Sequence, residues 1–270
     1  MNIWEDHPLA RQFWNAGHAD IPIYDMHGHM GNLNTIHFAR AEAGQMVAHM
    51  KRIGVQRLVF SHHHALFEPS FRNIRAWEIC REYPDILRMY VAINPHYPDH
   101  IREDLAQFDA WRPFAVGLKF LPDYHGTPLT DSKYEYALRF AEERKLPVLC
   151  HTWGGSPHNG FPQLAETVQK YPGITFFAAH CLFGDWDGAV RLVRESPGNV
   201  YLELTALPGE RGLLERLTAA VTSERLLYGT DLPWFDEYQA VSGVLSAEIS
   251  ERDMRNIFYA NIERLLGNEW

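Results

Sequence analysis

The chain is short of several things, and each shortage excludes a class of protein. Its 270 residues hold only three cysteines, Cys80, Cys150 and Cys181, with no C-x-x-C pair. That excludes a disulfide-rich framework and fits a reducing compartment. No apolar run approaches the ~18 residues of a membrane span. The opening MNIWEDHPLARQFWNAGHAD carries early acids and no apolar stretch of the secretory kind. A soluble, cytoplasmic protein without membrane partners is the expectation. Basic residues are outnumbered, 25 Lys and Arg against 34 Asp and Glu, for a net charge of −9. That balance argues against a nucleic-acid backbone as partner. No Gly/Ser linker, low-complexity tract or short repeat divides the sequence, so one domain over 1–270 is expected.

What the sequence does contain is ordinary for a globular protein, 46% hydrophobic and 22% charged. Near-continuously apolar runs, expected for strands buried on both faces of a parallel sheet, occur at 21–27, 57–61, 86–93 and 115–120. They continue at 147–151, 175–180, 200–204 and 226–231. Helical spacing fills the gaps. Met46, Val47, Met50 and Ile53 share one face, as do Tyr134, Leu138 and Ala141 behind an N-cap at Thr130 or Asp131. Helices are also expected within FPQLAETVQKYPG, DWDGAVRLVRESPG and LLERLTAAVTSER. Eight such alternations suit either a closed barrel or an open doubly wound sheet. No G-x-G-x-x-G or Walker A run follows any strand, which weakens the open nucleotide-binding sheet. A single α/β (β/α)8 TIM barrel is therefore expected, with its core at about 21–267 and extra C-terminal helices; such barrels run to ~250 residues.

A barrel gathers its chemistry at the C-terminal ends of its strands. Here strand 1 ends in His27-Gly-His29, strand 4 carries Lys119, strand 5 ends in His151, strand 6 in His180 and strand 8 in Asp231. Residues two apart in a strand point the same way, so His27 and His29 can chelate one ion. Imidazole and carboxylate are ligands of zinc and similar metals. Strand ends that converge on one axis thus point to a metal centre.

The order H-x-H, Lys, His, His, Asp resembles the amidohydrolase superfamily of metal-dependent barrels. YDMHGHMG, VGLKFLPDYHGTPLTD, LPVLCHTWGG, AAHCLFGDW, YGTDLPW and NIFYANIERLLG are similar to its amidohydrolase-related branch. That branch includes aminocarboxymuconate-semialdehyde and aromatic-acid decarboxylases, lactonases and other hydrolases. The resemblance implies His27, His29, His151 and Asp231 as ligands of one divalent ion, with His180 as a catalytic imidazole and Asp231 also moving protons. It leaves Lys119 open between a carboxylated bridge to a second metal and a lysine paired with Glu203. Zinc is the first expectation for the ion, with manganese, iron or cobalt as alternatives.

Other candidates are secondary. His62, His63 and His64 follow strand 2 and could reach the barrel mouth, or form a solvated loop; His62 and His64 would face alike if the strand continued. Trp153, Trp234, Tyr124, His125 and Phe235 sit on loops that could wall a small substrate, and the same aromatics leave a homodimer open. Arg211 is the arginine placed to clamp a substrate carboxylate, and because it stands alone hydrolysis is favoured over decarboxylation. Cys150 and Cys181 are expected to turn away from the axis and pack. The main expectation is a hydrolase cleaving a C–N or C–O bond of an amide, lactone or ester through metal-activated water. The alternatives are a nonoxidative decarboxylase of an unsaturated or aromatic acid and a non-catalytic ligand-binding barrel.

Overall fold

The computed structural model describes residues 7–33, 36–68, 70–267 and 270. Residues 1–6 of the opening segment and Pro69 of the His-rich loop lie outside the described residues. Eight strands run in chain order around one sheet, every neighbouring pair parallel. They are β1 (Tyr24–Met30), β2 (Arg57–His62), β3 (Leu87–Ile93) and β4 (Ala115–Phe120). The sheet continues with β5 (Pro147–Trp153), β6 (Thr175–Phe183), β7 (Val200–Glu203) and β8 (Leu226–Leu227). β8 is far shorter than the 226–231 expected. Its continuation leaves regular pairing but still closes the ring on β1, through Met26 N–H donating to the Tyr228 carbonyl (3.0 Å) and His29 N–H to that of Leu232 (2.6 Å). The fold is a single (β/α)8 barrel.

Each expected helix is present. Ala43–Ile53 buries Met46, Val47, Met50 and Ile53. Asp131, rather than Thr130, caps the turn before Glu135–Glu143, its side chain accepting from Lys133 N–H. Phe161–Lys170, Trp186–Glu195 and Leu213–Val221 follow. Beyond β8, helices at Glu237–Leu245, Glu251–Arg255 and Asn261–Leu266 supply the extra C-terminal cover.

Strand alternation sorts the core into two layers, as barrels require. Leu58, Phe60, Leu118 and Phe176 face the helices, while Met26, Val59, Tyr90, Leu149 and Phe177 form a second cluster that includes Trp270. Cys150 and Cys181 belong to the helix-side layer, as expected. No helix among the described residues is long and apolar enough to cross a membrane.

Candidate metal centre

His27, His29, Lys119, His151, His180 and Asp231 are all buried at the C-terminal end of the barrel. Two local devices aim them. On β1, Asp25 Oδ1 accepts from the backbone N–H of His27 (3.0 Å) and of Thr230 (3.1 Å), and Thr230 Oγ1 donates to Oδ2 (2.5 Å). One carboxylate thus ties the H-x-H strand to the segment that presents Asp231. On β6, His180, Cys181 and Leu182 all take left-handed backbone, φ 61°, 51° and 54°, and Asp231 does likewise at 60°. Such conformations cost energy and persist where surroundings impose them. At β6, Thr152 Oγ1 donates to the Ala179 carbonyl (2.5 Å) and accepts from Leu182 N–H (2.9 Å). The bend turns the His180 ring toward His27 and His151, at centroid distances of 5.1 and 4.8 Å.

The tautomers follow from the partners. Glu203 Oε1 accepts from Thr205 N–H (2.7 Å) and Oγ1 (2.5 Å), while Oε2 lies 2.8 Å from His27 Nδ1. Nδ1 of His27 therefore carries the proton and Nε2 keeps a lone pair. His29 Nδ1 donates to the Ser61 carbonyl (3.1 Å), leaving its Nε2 bare as well. Burial holds both imidazoles neutral, His27 down to about 3 and His29 well below its usual value. Yet Asp231 Oδ1 sits 3.3 Å from His27 Nε2 and 3.1 Å from His29 Nε2, without a hydrogen bond to either. Among the described residues, the buried His180 Nδ1 also has no hydrogen-bond partner. Lone pairs crowding a carboxylate repel one another unless positive charge sits among them; the Lys119 amine reaches His27 Nε2 (2.7 Å) but neither His29 Nε2 nor Asp231 Oδ1 by a hydrogen bond. The tightest convergence is that of His27, His180 and Asp231, whose donor atoms lie within 4.8 Å of one another. This donor set fits a divalent ion.

The expected ligands are thus all brought to one place. His29 reaches the cluster through Asp231, and His151 lies beside His180 on the cleft side, outside the tight trio. Lys119 does not pair directly with Glu203; its Nζ hydrogen-bonds His27 Nε2 at 2.7 Å. Burial pulls its amine down to about 8, against the opposing pull of Asp231 and Glu203. Burial raises the carboxyls of Asp231 and Glu203, the latter to about 7.

Above the cluster lies a cleft of about 230 Å³, lined among others by Leu33, Leu66, Phe67, Tyr124, Trp153, Trp234 and Phe235. None of its lining residues is Lys or Arg. Trp153, Tyr124 and Trp234 are therefore wall residues. Arg211 is not; it is exposed and lines a separate cavity of about 140 Å³ beside the helix at 213–221. His125 turns inward instead, its Nε2 bonded to the Leu66 carbonyl (2.9 Å). His62 and His64 do not face the mouth, because β2 ends at His62 and a helix, His63–Phe67, begins. That turn delivers His63, which alternation had pointed away. It lines the cleft, stacks on His29 (4.7 Å), donates Nδ1–H to the Gly31 carbonyl and accepts at Nε2 from Trp234 (3.2 Å). Sequence reasoning missed Asp25, Thr152 and Asn159, whose Nδ2 donates to the His151 carbonyl (2.7 Å). The one available signal was Asp25, two residues before the H-x-H pair.

Residues 24–267 match the family model described as amidohydrolase. No curated protein matches the chain. Solved structures share the barrel at low identity. A TIM-barrel protein from Bordetella bronchiseptica superposes with TM-score 0.74 at 16% identity, covering 91% of this chain and 98% of that one. A 5-carboxyvanillate decarboxylase from Novosphingobium aromaticivorans, complexed with manganese and a nitrobenzoic acid, gives 0.72 at 13%, covering 91% and 96%. A dihydroxybenzoic acid decarboxylase from a Polaromonas species, with manganese and the inhibitor 2-nitroresorcinol, gives 0.71 at 14%, covering 90% and 96%. With the family model spanning nearly its whole length, the chain belongs to the amidohydrolase family.

Proposed function

We propose that the protein is a metal-dependent lyase that removes the carboxyl group of a small aromatic or unsaturated acid as carbon dioxide. The observation that carries this reading is the division of the cleft. Its walls are mostly aromatic and aliphatic, no Lys or Arg lines it, and its one carboxyl, Asp231, stands among His29, His63, His151 and His180. The decarboxylases of the same fold, crystallised with manganese and nitro-substituted ring compounds, support it.

His27, His180 and Asp231 would hold the ion, with His29 set against Asp231 and His151 facing the cleft. Bound there, a divalent ion would supply the positive charge that anchors an anionic substrate and takes up charge during reaction. Manganese suits the donor set, and zinc does so equally. The absence of an arginine clamp then fits an acid substrate, since the ion is the counter-charge. Tyr124, Trp153, Trp234 and Phe235 would sandwich the ring and exclude water. Low polarity favours losing a charged carboxylate as neutral carbon dioxide. As the C–C bond breaks, its electron pair stays on the ring carbon, which must then take a proton. Asp231, the one carboxyl among the lining residues, would relay it, taking up a proton given up by a ring hydroxyl or a water and passing it to the ring carbon.

Hydrolysis of an amide, lactone or ester is the second reading, favoured by the family description and by the same donor set. Manganese-loaded and chelator-treated protein should be offered hydroxylated benzoic acids and, in parallel, lactones, esters and anilides, with products read by mass. Metal-dependent loss of carbon dioxide from an acid is expected. Addition of water to a lactone or amide, with no acid consumed, would overturn the lyase reading in favour of hydrolysis.

A further inference from the structure

Lys119 raises a question that the ligand set alone does not. His27 Nδ1 is committed to Glu203 Oε2, and Glu203 is itself an acceptor of both Thr205 donors. Only one in-plane lone pair remains on that ring, at Nε2. The Lys119 amine occupies it at 2.7 Å. A metal ion bound by His27 needs the same lone pair. The two partners exclude each other whatever the charge on the amine, because a neutral amine also donates. Lys119 is 0% exposed, and among the described residues His27 is its one hydrogen-bond partner. The carboxylates of Asp231 and Glu203 pull on it electrostatically. It therefore stands in the same field as the ion would, near the end of β4.

We propose that Lys119 is a built-in competitor for the metal: it holds the ion-free site together and yields His27 Nε2 when the ion enters. It acts as a positioning residue that lowers metal affinity while keeping the empty cluster from flying apart. The inference rests on the metal reading given above. It differs from a ligand role for Lys119 in the sign of its effect. A ligand's loss weakens metal binding, whereas a competitor's loss tightens it.

The test compares wild type with Lys119→Met, each stripped by chelator, by zinc competition against a chromophoric chelator and by thermal melting. A buried hydrogen bond given up on loading should make the variant bind zinc about tenfold tighter. Without metal, the variant should melt lower than wild type, and zinc should close that gap. Equal or weaker zinc binding by the variant, with wild type still loading, overturns the competitor role and leaves the metal reading standing. Failure of both proteins to bind zinc or manganese overturns the two together. If the stripped variant does not fold, wild type labelled with ¹⁵N-lysine gives the answer. The Lys119 amine signal should shift as zinc saturates the protein, and a signal unmoved at saturation contradicts the exchange.

Discussion

At the scale of single residues, Glu203 does the most for the cluster without facing the cleft. Accepting from His27 Nδ1 and from both Thr205 donors, it fixes the one tautomer that can ligate. Glu203→Gln should lower metal affinity by about 10–100-fold while the melting midpoint changes little once metal is saturating; competition titration with a chelator reads this directly. On the proposed reading, Asp231→Asn replaces an anionic donor that also carries the proton by a neutral amide, so turnover should fall by ~10²–10⁴ with the far-ultraviolet spectrum unchanged. An asparagine variant turning over at the wild-type rate would remove Asp231 from the chemistry. These residues were legible because apolar strands ending in His, Lys or Asp violate the strand pattern. Which of the three histidines after β2 enters the cleft was not, since that depends on where β2 gives way to a helix. Arg211 was misplaced for a similar reason: sequence order says it follows β7, but not which way the loop carries it.

At the scale of elements, the end of β6 is the feature the strand pattern could not foretell. The expected strand stopped at His180, whereas β6 runs to Phe183 through three consecutive left-handed residues. Thr152 on β5 stabilises that bend from both sides. Thr152→Val deletes the donor and the acceptor while keeping the shape. It should cost about 1–3 kcal/mol of stability and reduce turnover by misplacing His180, whereas Thr152→Ser should retain both. Equal losses in the two variants would show that the hydroxyl does not hold the bend. Gly229 plays a comparable part beyond β8, for a Cβ there would run into Glu203 Oε1 and crowd the His27 side chain. Strand and helix positions followed from apolar runs and 3.6-residue spacing because those report burial. Bends, bulges and the short β8 did not, because they are set by partners distant in sequence.

At the scale of the whole molecule, burying so many ionisable groups makes stability pH-dependent. Burial depresses seven imidazoles, with His27, His62 and His151 at about 3, His125 at about 4, and His29, His63 and His180 lowered. Each takes up a proton in the unfolded chain near its usual value of 6.5 but resists it when folded. Their contribution is therefore lost as pH falls from about 6.5 toward about 3. Four buried carboxyls act oppositely. Asp25 and Glu203 sit at about 7, and Asp231 and Glu237 are also raised, so folding is favoured as pH falls from about 7 to about 4. The imidazoles outnumber them. The melting midpoint of metal-free protein should thus decline from pH ~6.5 to ~4 and more steeply below, where the carboxyl offset ends; a midpoint rising over the same range would contradict the burial pattern. The barrel itself was legible as eight strand–helix alternations without a nucleotide loop. The reaction was less legible: hydrolysis was expected because Arg211 was the one candidate carboxylate clamp. That residue lies outside the cleft, so the choice between hydrolysis and decarboxylation rests on the cleft's walls and the ion rather than on an arginine.

The most direct test of the central claim is the metal content of untagged protein purified without chelators, measured beside Asp231→Asn. The account predicts about one manganese, zinc or similar ion per wild-type chain and a large loss in the variant. Ion-free wild type that stays empty after incubation with manganese and zinc, yet still turns over a substrate, would contradict it.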